Sequence, residues 1–197
     1  IIIVNDGSED DTGAQLINLS RLSSVKIINH QKNLGQSKSI LTGINEASCD
    51  TIVTIDGDCQ NNPNDINNLF MIYSSDCKLK LVGGIRTHRR DSIVKIFSSK
   101  IANQFRAYFL KDNCKDTGCS LKIFDKKIFL SFTFFDGIHR FLPALFLGYG
   151  YQTQFIPVDH RSRKFGKTKY GTWGRLIKGI RDMLEVRKII REKNKYN

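Results

Sequence analysis

Short β-branched runs alternate with helical segments through the first 85 residues, and polar turns follow the runs. A sequence with the hydrophobic period of a strand does not fit a helix, and the reverse also holds. The order of the two kinds of segment therefore restricts the fold more than any other feature. It predicts an α/β fold with a mixed, mostly parallel sheet flanked by helices. The predicted strands are 1–4, 25–28, 51–55 and 79–85, and the predicted helices are 10–19, 37–47 and 64–73.

The second half of the chain is organised differently. The pattern predicts a long helix over 92–110, strands over 120–124 and 151–158, and a basic, Gly-containing loop over 160–171. Apolar residues spaced three or four apart then predict an amphipathic helix from Trp173 to Ile190. The 197 residues fit one catalytic domain over 1–171 and a basic C-terminal helix and tail over 172–197.

Charge is distributed very unevenly along the chain. The net charge is −6 over residues 1–77, +8 over 78–111 and +10 over 160–197. An acidic first third suggests a cation site, and the basic blocks suggest anionic partners. Nucleic acid, a phosphorylated lipid and an anionic membrane surface are all compatible with this pattern. The five cysteines include no C-x-x-C pair, so neither a zinc site nor a disulfide framework is favoured.

Two carboxylates mark the end of the third predicted strand. Asp56 and Asp58 follow the apolar run 51–55, and Gln60 comes two residues later. Carboxylates at i and i+2 just past a buried strand can jointly bind a hard divalent cation. In parallel sheets ligands bind beyond the carboxyl ends of the strands, so this position favours a magnesium-type site.

Three further polar or charged features follow the ends of predicted strands. Asp6 lies in an Asn-Asp-Gly-Ser turn after the first strand, and Arg86 directly follows the fourth. The loop 160–171 carries five basic residues and two glycines, which suits a flexible lid over a pyrophosphate. A nucleic-acid-binding patch is the competing interpretation of this loop.

The order of these motifs resembles family 2 glycosyltransferases of the GT-A fold. Residues 5–10 are similar to the family's DDGSxD turn, and residues 33–35 to its N-x-G element. The remaining motifs resemble the dolichol-phosphate mannosyltransferase-like, polyprenyl-phosphate branch. They are the D-x-D-x-Q-x-x-P run at 56–63, Asp-Thr-Gly-Cys at 116–119, His-Arg-Phe-Leu-Pro at 139–143 and the basic segments 160–163 and 166–171.

The resemblance implies metal-dependent, inverting transfer of a sugar from a GDP- or UDP-linked donor to a polyprenyl or dolichyl phosphate. In that case Asp6 would contact the nucleotide base. Asp56 and Asp58 would hold the ribose, the diphosphate and Mg²⁺ or Mn²⁺. Gln60 would lie near the metal, and Asp116 is a candidate general base.

The resemblance also implies roles for the basic residues. Arg86 and Lys95 would bind the acceptor phosphate, and Arg163, Lys167 and Lys169 would lie on a lid over the diphosphate. The amphipathic helix would rest on an anionic membrane at its cytoplasmic face. No role for nucleic acid is implied.

The chain departs from the family pattern at two points. The family's first strand and helix are not found, so part of the nucleotide pocket is expected to be missing, and Asn5 replaces a common Asp. Four alternatives therefore stay open: transfer to a lipopolysaccharide or other glycan, a nucleotidyltransferase, a nucleic-acid-binding module, and a non-catalytic fragment.

Overall fold

The computed structural model describes residues 1–87, 104–161 and 172–195, with side chains from residue 178 onward in the last range. The strands are β1 (Ile2–Asn5), β2 (Lys26–Asn29), β3 (Thr51–Thr54), β4 (Leu79–Arg86), β5 (Lys122–Asp125) and β6 (Gln152–Val158). The helices are α1 (Thr12–Leu19), α2 (Gln36–Asn45), α3 (Asp65–Ser75), α4 (104–110), α5 (Lys126–Ser131), α6 (Leu142–Gly148) and α7 (Thr172–Lys195). A short 3-10 helix covers Ile138–Arg140.

The strands form two sheets. The larger has the order β3-β5-β4-β6, in which β5 is antiparallel to both neighbours and β4 is parallel to β6. The smaller is the parallel pair β1-β2. Because β5 alone is reversed, the carboxyl ends of β3, β4 and β6 meet the start of β5 at one edge of the larger sheet.

Helices cover both faces of the larger sheet. Successive side chains of a strand point to opposite faces, and on β5 Phe124 joins one core cluster while Ile123 joins the other. The Phe124 cluster includes residues of α2, α5, α6 and α7, whereas the Ile123 cluster is covered by α3 through Leu69.

Helix α2 connects the two sheets. Ile44 packs in the Phe124 cluster with Ile52 of β3. On the β1 side, a Cβ on Gly43 would lie 3.4 Å from Val4 Cγ2, so backbone and strand are in close contact. One helix therefore holds β1 and β3 in a fixed relation, although they share no ladder.

The predicted α/β architecture with a mixed sheet and a C-terminal helix is confirmed. The predicted helix 92–110 is described only from residue 104, where it is helical, and the loop 160–171 only at its first two residues. The apolar segment 129–135 begins within α5, which ends at Ser131.

Candidate active site

The turn after β1 is built around the carboxylate of Asp6. Its oxygens accept hydrogen bonds from the backbone N–H groups of Leu34 (2.9 Å) and Gly35 (2.8 Å). Gly7 has φ +65°, and a Cβ there would lie 2.6 Å from the carbonyl carbon of Lys32, so only glycine fits. The structure thus joins two motifs that lie 29 residues apart in sequence.

A histidine supports the same carboxylate from the side. His30 Nδ1 lies 2.8 Å from Asp6 Oδ1, and His30 Nε2 lies 3.1 Å from the hydroxyl of Thr42. Burial raises the pKa of Asp6, but the hydrogen bonds from His30, Leu34 and Gly35 outweigh it and the pKa is lowered overall. Asp6 is therefore held as a carboxylate within the turn.

The second carboxylate group lies at the end of β3. The backbone N–H of Asp56 donates to the hydroxyl of Ser120 (3.2 Å), and the Gln36 amide donates to Asp56 Oδ1 (2.8 Å). Asp58 Oδ1 accepts from the backbone N–H of Gln60 (3.1 Å), which closes an Asx turn. Gln36 lies in the first turn of α2, so this contact brings the Asp6 turn and the Asp56 turn together.

The electrostatics of Asp56 and Asp58 suit a divalent cation. Burial raises the pKa of Asp56, and the neighbouring Asp58 carboxylate raises it further, against the lowering effects of Ser120, Lys122 and Arg86. Among the described residues, no cluster of three or more His, Cys, Asp or Glu side chains could hold a metal by itself. Two carboxylates completed by substrate phosphate oxygens and water are what Mg²⁺ usually takes, so the donor set fits Mg²⁺ or Mn²⁺.

The start of the basic loop is fastened beside this pair. The backbone N–H of Arg161 donates to the Gln60 carbonyl (2.8 Å), and the Gln60 amide donates to the Arg161 carbonyl (3.2 Å). An isolated antiparallel bridge joins Asn61 to His160. The loop that carries Arg163, Lys167 and Lys169 therefore begins next to Asp58, although those three residues lie outside the described part.

Arg86 is held by Asp116. Arg86 Nε donates to Asp116 Oδ2 (2.7 Å) and Nη2 to Oδ1 (2.8 Å), while the Arg86 backbone N–H also reaches Oδ2 (3.1 Å). Their side chains are 17% and 6% exposed. A Cβ on Gly118 would lie 2.8 Å from Arg86 Nη2, so the loop at 116–119 closes directly over the guanidinium. Lys95, the other predicted phosphate ligand, lies outside the described residues.

The segment 136–140 links the site to α7. Ser37 Oγ accepts from the Gly137 backbone N–H (2.7 Å) and lies 2.8 Å from His139 Nδ1. Burial lowers the pKa of His139 to about 3, which favours a structural histidine. Two ion pairs then reach α7, Arg140 to Asp182 (2.7 Å) and Asp136 to Lys178 (2.5 Å).

Sequence reasoning found the charged residues of the site but missed their supports. Gln36, Ser37, His30, Ser120 and Lys122 carry no motif that marks them. The one available signal is position, because Gln36 and Ser37 follow the Asn-Leu-Gly turn directly and Ser120 begins the predicted strand.

Known protein families provide an independent comparison. Residues 1–133, about two thirds of the chain, match Glycosyl transferase family 2. The chain belongs to this family. The features that the family 2 resemblance predicted at the ends of β1 and β3 therefore lie in a glycosyltransferase domain.

Two curated relatives from bacteria resemble most of this family 2 chain. The undecaprenyl-phosphate 4-deoxy-4-formamido-L-arabinose transferases of Salmonella paratyphi B and Salmonella newport are each 30% identical over 186 residues. The match covers 93% of this chain and 56% of each relative. The chain therefore spans about half the length of the curated relatives it matches.

Solved structures confirm the GT-A fold. Glucosyl-3-phosphoglycerate synthase from Mycobacterium tuberculosis, in complex with Mn²⁺, UDP and glucosyl-3-phosphoglycerate, superposes with a TM-score of 0.66 at 13% identity. The same enzyme with Mg²⁺ and UDP gives 0.66 at 14% identity. Both matches cover 94% of this chain and 66% of the other. Identity this low shows the fold alone.

Proposed function

We propose that this glycosyltransferase moves a sugar, with inversion, from a GDP- or UDP-linked donor to a polyprenyl or dolichyl phosphate. One observation carries the proposal. Asp56 and Asp58 after β3, Arg86 at the end of β4 and the start of the basic loop all lie at the same edge of the larger sheet. The undecaprenyl-phosphate transferases named above, matched over 93% of the chain, support a lipid phosphate as acceptor.

The acidic half of the site would bind the donor. Asp6 would contact the nucleotide base from its fixed turn, and Asp56 and Asp58 would hold the ribose and Mg²⁺ or Mn²⁺. The metal, when bound, supplies Lewis-acid stabilisation of the leaving diphosphate. Gln60 would orient its neighbour Asp58 and, through its contacts with Arg161, the start of the basic loop, from which Arg163, Lys167 and Lys169 would cover the diphosphate.

The basic half would bind the acceptor, with Arg86 and Lys95 as phosphate ligands. A phosphate monoester is already anionic near neutral pH, with a second pKa of about 6. It therefore needs no strong base, and the main requirement is to bring two anions together. Asp116 fixes the plane of the Arg86 guanidinium through both oxygens, which favours an orienting role in catalysis for this carboxylate.

An anionic membrane surface is the proposed location of the acceptor. Met183, Val186 and Ile189 of α7 pack into the core, but Ile180 and Leu184 are exposed among basic residues. Among its described residues, the exposed basic side chains of α7 include Arg181, Arg187, Lys188, Arg191 and Lys195. Within the described residues, no helix has both the length and the apolar character needed to cross a bilayer.

Helix α4 extends the same surface. Tyr108 is 85% exposed and Phe105 is 57% exposed. Phe109 stacks with Phe105, and the guanidinium of Arg187 lies 4.6 Å from the centre of the Phe109 ring. Exposed aromatic rings beside basic residues are typical of surfaces that rest on anionic lipid headgroups, so α4 and α7 together would face the cytoplasmic leaflet.

A comparison of acceptors tests the proposal. The purified protein is incubated with GDP- and UDP-sugars and either undecaprenyl phosphate, dolichyl phosphate or lipopolysaccharide core. We expect sugar transfer to a lipid phosphate only. Transfer to lipopolysaccharide core instead would support the proposed donor site but contradict the proposed lipid phosphate acceptor. Release of pyrophosphate from a free nucleoside triphosphate would indicate a nucleotidyltransferase and contradict the proposal.

A further inference from the structure

Lys122 is a buried amine that the proposed chemistry does not use. It is the first residue of β5 and is only 4% exposed. Its neighbours across the sheet are Thr54 of β3 and Gly83 of β4. These two strands lead to Asp56 and Arg86, so Lys122 lies between the donor half and the acceptor half of the site.

The ammonium group of Lys122 fastens the loop 116–119. Nζ donates to the carbonyl oxygen of Cys119 and lies 3.4 Å from the carbonyl oxygen of Thr117. The backbone N–H of Cys119 also donates to the carbonyl of Asp116 (3.3 Å). A backbone hydrogen bond thus closes the loop as a turn, and the Lys122 side chain holds it in place.

That loop determines where Arg86 lies. Asp116 grips the guanidinium through two side-chain hydrogen bonds, and Gly118 lies in contact distance of its Nη2. A shift of the loop by an ångström would therefore turn the guanidinium plane. Asp56, by contrast, also has a partner outside this loop, because the Gln36 amide of α2 donates to its Oδ1.

A buried lysine at this position destabilises the fold unless its ammonium group makes compensating contacts. Removing an ammonium from water carries a desolvation penalty, and burial lowers the pKa of Lys122. A methionine of similar length would fill the same space without that cost. The two carbonyl contacts are what a methionine could not replace.

We infer that Lys122 is a positioning residue for Arg86, acting through the loop 116–119. It does not touch substrate. Its loss is therefore expected to impair acceptor binding more than donor binding. The kinetic part of this expectation rests on the proposed function, but the structural part does not.

Lys126 provides a matched control for the test. Its Nζ also donates to two backbone carbonyls, those of Ala47 (2.5 Å) and Asn45 (3.5 Å), but at the far end of β5. Lys122→Met and Lys126→Met therefore remove the same kind of contact at different places. Both are compared by hydrogen exchange of the Arg86 Nε–H group in the ¹⁵N spectrum, assigned with Arg86→Lys, and by steady-state kinetics.

In Lys122→Met we expect the Arg86 Nε–H to exchange about tenfold faster or more, and in Lys126→Met to exchange at the wild-type rate. We also expect the KM for lipid phosphate to rise about tenfold in Lys122→Met, with a smaller change in the donor KM. Lys122→Arg, which keeps a charge and N–H donors, should restore slow exchange. If Lys122→Met does not fold, Lys122→Gln is measured in its place.

Unchanged Arg86 exchange in Lys122→Met or Lys122→Gln, or equal acceleration in Lys126→Met, would overturn the inference. If the wild-type protein transfers no sugar to any lipid phosphate, the proposed function fails by itself. The exchange measurement then still decides the role of Lys122.

Discussion

At the scale of single residues, the site depends on pairs that are distant in sequence. Arg86 and Asp116 could each be nominated from its motif, but their pairing across 30 positions could not. Neither motif predicts this contact, because Arg86 ends β4 and Asp116 lies in the loop before β5, and only the folded sheet brings the two side chains together. The same holds for Gln36 and Asp56, which lie 20 residues apart.

The Arg86–Asp116 pair predicts a large effect on stability. Asp116→Asn removes the carboxylate charge from a largely buried, bidentate pair with the Arg86 guanidinium. We expect a loss of about 3–5 kcal/mol in the free energy of unfolding, measured by urea denaturation. The control is Asp50→Asn, whose partner Lys127 is 78% exposed and which should change stability by less than about 1 kcal/mol. Equal losses in both variants would show that the Arg86 pair is no stronger than a surface pair.

The Asp6 turn predicts a pH dependence. The pKa of Asp6 is below its ordinary value of 3.8 in the folded protein, so its ionised form adds stability above pH 3.8 that is lost as the pH falls through the folded pKa. Asp6→Asn should lower the free energy of unfolding by about 1–2 kcal/mol near pH 7. Urea midpoints of the two proteins should converge towards pH 2. A constant difference from pH 7 to pH 2 would mean that the charge of Asp6 is irrelevant.

At the scale of elements, alternation in the sequence predicts strands and helices better than it predicts how they pair. The predicted strands 51–55 and 79–85 agree with β3 and β4 to within one residue, since both are mainly apolar runs followed by a charged residue. The antiparallel direction of β5 could not be predicted, because it depends on ladders with β3 and β4, whose residues are distant in sequence.

Gly137 packs closely against α7. Gly137 has φ +117°, and a Cβ there would lie 2.6 Å from Asp182 Oδ2. Gly137→Ala should therefore break the Arg140–Asp182 pair and destabilise the protein by about 2–4 kcal/mol. Gly150 also has positive φ (+87°), but nothing lies within 4 Å of its added Cβ. Gly150→Ala is thus expected to lower the free energy of unfolding by only about 1 kcal/mol, through backbone strain. Similar losses of stability for the two variants in thermal denaturation would exclude a role for the Asp182 contact.

The outer face of α7 predicts salt-sensitive binding to anionic lipid. Lys188→Gln with Arg191→Gln removes two outward charges, and each charge near such a surface contributes about 1 kcal/mol. We expect binding to phosphatidylglycerol vesicles to weaken roughly 30-fold, measured by sedimentation. The control double variant Lys26→Gln with Lys127→Gln removes the same charge at exposed positions in β2 and α5. Equal weakening in both would show that net charge alone drives binding.

At the scale of the whole molecule, three segments of different charge meet around one sheet edge. The acidic segment supplies Asp6, Asp56 and Asp58, and the basic segments supply Arg86 and the loop that begins at His160. The charge blocks of the sequence predicted a cation site and anionic partners, and the order of motifs predicted the family. Sequence alone could not predict that β1 and β2 form a sheet of their own, since ladder pairing depends on which edges come into register.

The most direct test of the account is metal-dependent sugar transfer to polyprenyl phosphate by Asp58→Ala, compared with Asp76→Ala. Both aspartates close an Asx turn by accepting a backbone N–H two residues on, at 3.1 Å and 2.8 Å, but only Asp58 lies at the site. We predict that wild type and Asp76→Ala form the sugar lipid with Mg²⁺ or Mn²⁺ and stop with EDTA, and that Asp58→Ala loses roughly 100-fold or more in rate. Transfer by Asp58→Ala at the wild-type rate, or full activity in EDTA, would contradict the proposed metal-dependent function.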